Sequence, residues 1–325
     1  MKFRDLVARF GSSARAFDET TPSDRRDTLL RDADLALADA HRVGADLLVH
    51  GDERYPASLD DLPDPPLVLY ALGPLGWLSD AAAPVIAIVG TRRATGYGER
   101  VTREIATQLA RAGAVVLSGM ARGIDAAAHA GGLSGRTAAV LGTGIDIAYP
   151  AAHRALHAEI RTRGLLLSEQ PPGSRATAGS FPERNRIIAA LARMTIVIEA
   201  GRKSGALITA ARALELDRIV AAVPGPIDSP QSAGSNELLR DGAQVITSAE
   251  DALSLAGLAP AARGPAPDAV GPDRAIWDAI GAGARDLDTV SVVTALPARE
   301  VMAAITRLEL RGAIECLMTG EIRRR

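Results

Sequence analysis

The sequence has 325 residues, 47% of them hydrophobic, and its 37 basic and 39 acidic side chains give a formal net charge of −2. This composition excludes a largely disordered chain, and no apolar run approaches the roughly 20 residues of a membrane-spanning helix. Cys316 is the single cysteine, which excludes an internal disulfide and a cysteine-based zinc site. Because the first residues are also too polar for a secretory signal, we expect a soluble cytoplasmic protein without membrane insertion.

Residues 1–83 precede the most regular part of the sequence. The pattern over residues 1–50 predicts helices, most clearly from Asp24 to His41. Residues 51–83 are rich in proline and turn residues, which predicts an extended lead-in. We expect both segments to flank the core of the protein.

Short apolar runs then alternate with segments of helical spacing, such as the one from Ala206 to Leu216. This alternation over residues 84–258 predicts a doubly wound α/β fold, in which helices cover both faces of a mostly parallel sheet. Ligands of such sheets bind at the carboxyl ends of the strands, near a switch in strand order. The predicted strands are Val85–Gly90, Val115–Gly119, Thr137–Gly142, Leu165–Glu169, Thr195–Ala200, Ile219–Val223 and Gln244–Thr247.

The C-terminal part of the sequence predicts a second domain. Residues 259–272 have the composition of a linker, and residues 273–325 predict three helices followed by a short hairpin. Three helices and a terminal hairpin are typical of a winged-helix domain. The predicted helices are Arg274–Ile280, Leu287–Ala295 and Ala298–Leu310, and the hairpin strands are Ala313–Met318 and Glu321–Arg325.

Two of the predicted strands end in glycine-containing loops that carry arginine. In Gly90-Thr91-Arg92-Arg93, backbone N–H groups and the start of the next helix suit an anion. The loop lacks the G-x-G-x-x-G spacing of dinucleotide sites, and a tight turn with solvated arginines is the alternative. Ser118, Gly119 and Arg122 begin a second loop of this kind. Its Asp125 is equally explained as a helix cap, and His129 is better explained by packing than by general-base chemistry, because no nucleophile completes a catalytic set.

Two further loops combine basic and small polar residues. Arg175 lies in a turn-rich stretch before Phe181-Pro182-Glu183-Arg184-Asn185-Arg186. An aromatic ring beside arginines suits unpaired bases, whereas a hydrophobic staple at a helix start is the alternative. Lys203-Ser204-Gly205 forms another candidate phosphate cradle, although it lacks P-loop spacing. His153 and His157 lie one helical turn apart without the glutamate of a zinc-protease helix, so we expect no metal site.

These four loops are expected to form one anion-binding crest, because parallel strands bring their carboxyl ends to the same edge of a sheet. The crest carries arginines and an aromatic residue but no recognisable catalytic set. A polyanion-binding surface therefore explains it better than the active site of an enzyme, and no cofactor is implied. The distribution of charge also favours polyanion binding in the central segment. Residues 84–258 hold 19 basic and 15 acidic groups, whereas residues 1–83 hold 9 basic and 15 acidic groups.

Ordered motifs across residues 51–255 closely resemble the DNA-processing protein A family (DprA, also called Smf). Each motif is weak alone, whereas the ordered set is specific. The motifs include Ile88-Val89-Gly90-Thr91-Arg92, Ser118-Gly119, Gly123-Ile124-Asp125, Tyr149-Pro150, Phe181-Pro182-Glu183-Arg184-Asn185-Arg186, Ser204-Gly205-Ala206-Leu207 and Val223-Pro224-Gly225.

The resemblance implies an extended Rossmann-like domain that binds single-stranded DNA. It further implies a homodimer that shields incoming strands in natural transformation, loads the RecA recombinase and displaces single-strand-binding protein, without established enzymatic activity. Together with the loops described above, it gives a set of candidate DNA-binding residues. They are Gly90, Thr91, Arg92, Arg93, Ser118, Gly119, Arg122, Arg175, Phe181, Arg184, Asn185, Arg186, Lys203, Ser204 and Gly205.

Some features leave alternatives open. The resemblance leads us to expect a shortened form of the family's N-terminal helical domain, with Leu6 to Ser12 resembling its later part. The C-terminal domain carries no net charge, so a protein contact competes with DNA binding through Arg299, Arg307 and Arg311. Two other functions are a nucleotide phosphoribohydrolase, whose Pro-Gly-Gly-x-Gly-Thr motif is missing here, and a winged-helix regulator of duplex DNA.

Overall fold

The chain divides into two compact units, Met1–Ala261 and Ala262–Arg325. The structure is a computed structural model that describes residue 9 and residues 13–80, 83–177, 179–260, 269–317 and 320–324. Two helices come first, α1 (Ser13–Thr20) and α2 (Ser23–Val43). The segment from Leu6 to Ser12, which resembles part of a larger helical domain, lies outside the described residues except for Arg9.

A nine-stranded sheet forms the centre of the larger unit. Its strands are β1 (Asp46–Val49), β2 (Val68–Leu72), β3 (Val85–Val89), β4 (Val115–Ser118), β5 (Arg136–Leu141), β6 (Leu165–Ser168), β7 (Met194–Val197), β8 (Ile219–Ala222) and β9 (Gln244–Val245). Across the sheet the order is β1-β2-β6-β5-β4-β3-β7-β8-β9, with parallel pairing from β6 to β9. The chain builds outward from β3 through β6 and then returns to the other side of β3 with β7, so the strand order switches between β3 and β7.

Helices cover both faces of this sheet, which confirms the doubly wound, Rossmann-like fold class. Successive strand residues point to opposite faces, so Ile86 and Ile88 pack in one buried cluster with Leu109, whereas Val85 packs in the other with Ile187. Each fully buried Ile or Leu side chain stabilises the fold by roughly 1.5–3 kcal/mol. The helices are α3 (Gly96–Arg111), α4 (Ile124–Gly132), α5 (Arg154–Arg163), α6 (Ser180–Leu191), α7 (Gly205–Glu215), α8 (Ala233–Arg240) and α9 (Ala249–Ala256).

Two strands correct the expectation for the first 83 residues. β1 lies in the segment predicted as helical, and β2 lies in the predicted lead-in. β2 pairs antiparallel with β6, and β1 pairs antiparallel with β2, so both extend the sheet. The lead-in also contains the 3-10 helices Ala57–Asp61 and Leu75–Leu78. Short strands such as these are stabilised by pairing with β6, a tertiary contact that local composition does not reveal.

The smaller unit has the predicted winged-helix pattern. Its elements are α10 (Pro272–Gly281), α11 (Leu287–Thr294), α12 (Ala298–Leu310), β10 (Ile314–Cys316) and β11 (Ile322–Arg324). Ile276, Trp277, Val301 and Leu308 belong to a separate buried cluster. Most of the predicted linker and the hairpin turn at Thr319 lie outside the described residues.

Charged side chains join α10 to α12. Arg307 donates from Nε to both carboxylate oxygens of the buried Asp273, at 3.1 and 3.2 Å, and from Nη2 to Oδ1 at 2.5 Å. These hydrogen bonds hold the pKa of Asp273 below its usual value. Arg311 Nη1 lies 3.9 Å from Asp273 Oδ2. Of the three arginines considered for DNA binding, Arg307 and Arg311 are therefore paired with Asp273, although all three, including Arg299, are exposed.

Among the described residues, no single helix combines the length and apolar composition that crossing a membrane requires. Taken together, α11 and α12 have the length and apolar composition of a membrane-spanning segment, but the two helices are bent by 111° relative to each other.

A buried histidine is expected to make stability depend on pH. His129 in α4 is fully buried, and its Nδ1 is hydrogen-bonded to Thr137 Oγ1 at 2.8 Å. Burial, reinforced by the charge of Arg184, lowers the pKa of His129 from 6.5 to about 3. Below about pH 6.5 the imidazole of His129 binds a proton in the unfolded chain but stays neutral in the folded protein. The free energy of unfolding therefore falls as the pH falls.

The slope is about 1.4 kcal/mol per pH unit between roughly pH 6 and pH 3, added to the effects of other groups. In His129→Gln this contribution is absent. We therefore expect urea midpoints, compared at pH 7 and pH 5, to fall less in the variant than in the wild type. An equal fall in both proteins would contradict the prediction.

Candidate functional site

A groove of about 630 Å³ brings together many of the predicted site residues. It is formed by the loops after β3 and β7 with the first turn of α6, where the strand order of the sheet switches. Candidate residues in its lining are Gly90, Thr91, Arg92, Arg93, Phe181, Arg184, Asn185, Lys203, Ser204 and Gly205. The remaining candidates, Ser118, Gly119, Arg122, Arg175 and Arg186, lie outside the lining.

Glu199 holds the loop after β3 in place. Its backbone oxygen accepts from the N–H of Thr91 at 2.7 Å, and its carboxylate accepts from the N–H and hydroxyl of Thr95 at 2.9 and 2.5 Å. Glu199 is buried, and a Cβ on Gly98 would come within 2.5 Å of its carboxylate. The first turn of α3 therefore rests on this carboxylate. Thr95 and Glu199 were not among the predicted site residues, because nothing in the sequence shows that they meet.

Arg92 and Phe181 form the centre of the groove. The guanidinium carbon of Arg92 lies 5.3 Å from the ring centroid of Phe181, within the range of a cation–π interaction. Phe181 is half-buried at the start of α6, and its ring packs so closely against Gly142 that a Cβ there would lie 3.0 Å from Cδ1. The interaction orients a flexible arginine on a ring that is itself fixed by packing.

Three exposed cations line the groove. Arg92, Arg93 and Lys203 are exposed, and none of them forms a salt bridge within the described part of the chain. By contrast, Arg186 donates from Nη2 to both carboxylate oxygens of Glu169, at 2.7 and 2.9 Å. This ion pair engages Nη2 of Arg186, and contact of Arg186 with DNA stays a prediction. The three groove cations create a field that attracts an anion.

Arg184 supports the site from below. Only 6% of the residue is exposed, and its Nη1 donates to the carbonyl oxygens of Gly119, at 2.7 Å, and Val140. A Cβ on Gly119 would lie 2.5 Å from the guanidinium, so glycine is required for this approach. Arg184 thereby joins the ends of β4 and β5 at the base of the groove, and contact of Arg184 and Gly119 with DNA stays a prediction.

Burial also changes the electrostatics beneath the groove. It lowers the pKa of Arg184 to about 10, an effect that Asp125 opposes, so Arg184 stays charged at neutral pH. Burial raises the pKa of Asp125, and the charge of Arg184 counteracts this rise. Asp125 accepts from the N–H of Ala121 at 3.2 Å, whereas Gly123 occupies the N-cap of α4. The alternative that Asp125 caps this helix is therefore wrong.

The other candidates have separate environments. Ser118 is fully buried and its hydroxyl donates to the carbonyl of Ile88 at 2.7 Å, so its side chain joins β4 to β3, and a DNA contact there stays a prediction. Asn185 donates to the carbonyl of Gly205 at 3.4 Å and so links α6 to α7. Arg122 and Arg175 are exposed on the loops after β4 and β6, and their contact with DNA stays a prediction.

The paired histidines have structural partners. His153 Nδ1 is hydrogen-bonded to the carbonyl of Met120 and His157 Nε2 to that of Ile145, both at 3.0 Å. Within the described ranges, no group of three or more His, Cys, Asp or Glu side chains could hold a metal ion.

Comparisons with known sequences agree with this architecture. The family model described as DNA recombination-mediator protein A matches residues 46–257, and the DprA winged helix domain matches residues 259–318. The putative DNA processing protein DprA of Mycobacterium tuberculosis is 44% identical over 261 residues, covering 77% of this chain and 67% of that protein. The DNA processing protein DprA of Bacillus subtilis is 40% identical over 217 residues, covering 66% and 72%.

Two solved structures have the same fold over 65% of this chain. DNA processing protein A from Streptococcus pneumoniae superposes with a TM-score of 0.62 at 39% identity, over 74% of that chain. DNA processing protein A from Helicobacter pylori, studied for its single-stranded DNA binding mode, superposes with a TM-score of 0.59 at 34% identity, over 94% of that chain. With both domains matched in order, the chain belongs to the DNA-processing protein A (DprA/Smf) family.

Proposed function

We propose that this protein binds single-stranded DNA in the groove without catalysing a reaction. The observation that carries the proposal is that three exposed cations, Arg92, Arg93 and Lys203, line the same groove as Phe181, with Arg92 5.3 Å from its ring centroid. Cations bind the phosphates of a strand, and an aromatic ring binds its unpaired bases. The Helicobacter pylori relative, whose solved structure concerns single-stranded DNA binding, supports the proposal.

Two buried carboxylates, one in the groove lining and one beside it, support binding rather than chemistry. Asp125 is buried and accepts from the N–H of Ala121. Glu199 is buried and bound twice by Thr95. Both groups hold loops in place, whereas a general base needs access to the proton that it removes. A nucleotide phosphoribohydrolase is therefore the weaker candidate.

Shielding of incoming strands and loading of the RecA recombinase in natural transformation complete the proposal. The protein acts in the cytoplasm as a homodimer, which places two grooves on one strand. Two linked grooves bind more tightly than one, because the second binding event occurs at a high effective concentration. Occupation of the strand by the dimer would keep it available to RecA and displace single-strand-binding protein.

Fluorescence anisotropy tests the binding step. We expect the full-length protein to bind labelled oligo-dT of 20 nucleotides more tightly than a duplex of equal length. The logarithm of the affinity should fall linearly with the logarithm of salt concentration, by about 0.7 per phosphate neutralised. Equal or tighter binding of the duplex would overturn the proposal and favour a winged-helix regulator.

A further inference from the structure

An exposed tyrosine continues the row of groups that begins at Arg92. The ring centroid of Tyr149 lies 5.2 Å from that of Phe181, with an angle of 35° between the ring planes. Arg92 lies 5.3 Å from the same Phe181 ring. Guanidinium, phenyl ring and phenol ring thus follow one another at distances typical of cation–π and aromatic pairs.

The surroundings of the two rings differ. Phe181 is half-buried and contacts Arg92, Tyr149 and the backbone of Gly142, so much of its surface is already covered. Tyr149 is 47% exposed. A large aromatic ring with this exposure beside a cationic groove offers the area that a planar ligand needs. Tyr149 therefore provides more uncovered aromatic surface than Phe181 does.

We propose that Tyr149 is a stacking site for an unpaired nucleobase, one nucleotide beyond the Arg92–Phe181 pair. This inference rests on the proposed binding of single-stranded DNA. The site accepts any base, because every base presents a π-face and stacking does not require a particular hydrogen-bond pattern. Tyr149 thus lengthens the binding site without adding charge, so it changes affinity but not salt dependence.

The test uses Tyr149→Leu, with Tyr149→Phe as the conservative variant, and two 20-nucleotide probes, oligo-dT and an abasic strand with the same phosphates. For oligo-dT we expect Tyr149→Leu to lose roughly ten-fold in affinity and Tyr149→Phe to bind like the wild type. For the abasic strand we expect no difference. Tyr97→Leu is the matched control, because Tyr97 is 42% exposed and lies 5.6 Å from Arg100 but, in the described part of the chain, is not a ring partner of Phe181.

A double variant separates direct stacking from support of Phe181. If Tyr149 binds its own base, the losses of Phe181→Leu and Tyr149→Leu add in the double variant. A Tyr149 effect that disappears in the Phe181→Leu background would overturn the proposal, as would unchanged binding by Tyr149→Leu. If either occurs while Arg92→Ala still loses binding, the proposed function survives. Failure of the wild type to bind oligo-dT would overturn both.

Discussion

Replacement of Arg92 by alanine is expected to weaken binding of oligo-dT by roughly 10- to 100-fold at moderate salt. Loss of one charge-assisted hydrogen bond to a phosphate costs about 1.5–3 kcal/mol, which corresponds to this range. The variant also lacks the guanidinium that lies 5.3 Å from the Phe181 ring centroid. Because one fewer phosphate is neutralised, the slope of log affinity against log salt should decrease by about 0.7. Anisotropy titrations at several salt concentrations give both quantities.

Arg103→Ala is the matched control for this change. Arg103 is also exposed and without a salt bridge among the described residues, but it lies on α3 outside the groove lining. Both variants remove one positive charge from the same unit, so a difference between them reports position rather than net charge. Arg92 is exposed, and the free energy of unfolding should therefore stay close to that of the wild type. Equal affinities for the two variants would contradict a specific role of Arg92.

Much of the fold could be predicted because its strongest signals are local. Strands buried on both faces appear as continuous apolar runs, and the structure places β3 within one residue of the predicted Val85–Gly90. Helix α12 has the predicted bounds, Ala298–Leu310, because buried residues recur there at helical spacing. β1, with one buried residue out of four, carries no such signal. Its stability depends on pairing with β2, which the local sequence does not encode.

The candidate site was predictable in its loops but not in the directions of its side chains. Glycine-containing loops after buried strands correctly indicated where the groove lies. Arg184 and Arg186 are two residues apart on α6, so they point to different sides of the helix. Only tertiary packing shows that Arg184 turns beneath the groove and that Arg186 pairs with Glu169. Tyr149 was missed for the same reason, since its contact with Phe181 joins residues distant in sequence.

The second large effect is expected from Arg184→Met, which should lower the free energy of unfolding by about 3 kcal/mol. Two carbonyl oxygens, those of Gly119 and Val140, would lose the buried donor that they now share. Asp125, also buried, would lose the positive charge that opposes its protonation. Urea unfolding at pH 7 measures the stability. Oligo-dT binding should fall as well, because Gly119 lies in the loop between β4 and α4 that borders the groove.

Two comparisons identify the cause of this destabilisation. Arg186→Met also replaces an arginine of α6 by methionine. Because the ion pair of Arg186 with Glu169 is partly solvated, we expect the free energy of unfolding to fall by about 1 kcal/mol or less. If Arg184 balances the charge of Asp125, then Asp125→Asn should be less destabilising in the Arg184→Met background than in the wild type. Strictly additive losses would show that hydrogen bonding to the carbonyls, and not charge balance, is the role of Arg184. If Arg184→Met is as stable as the wild type, the hydrogen bonds of Arg184 to the carbonyls of Gly119 and Val140 do not stabilise the fold.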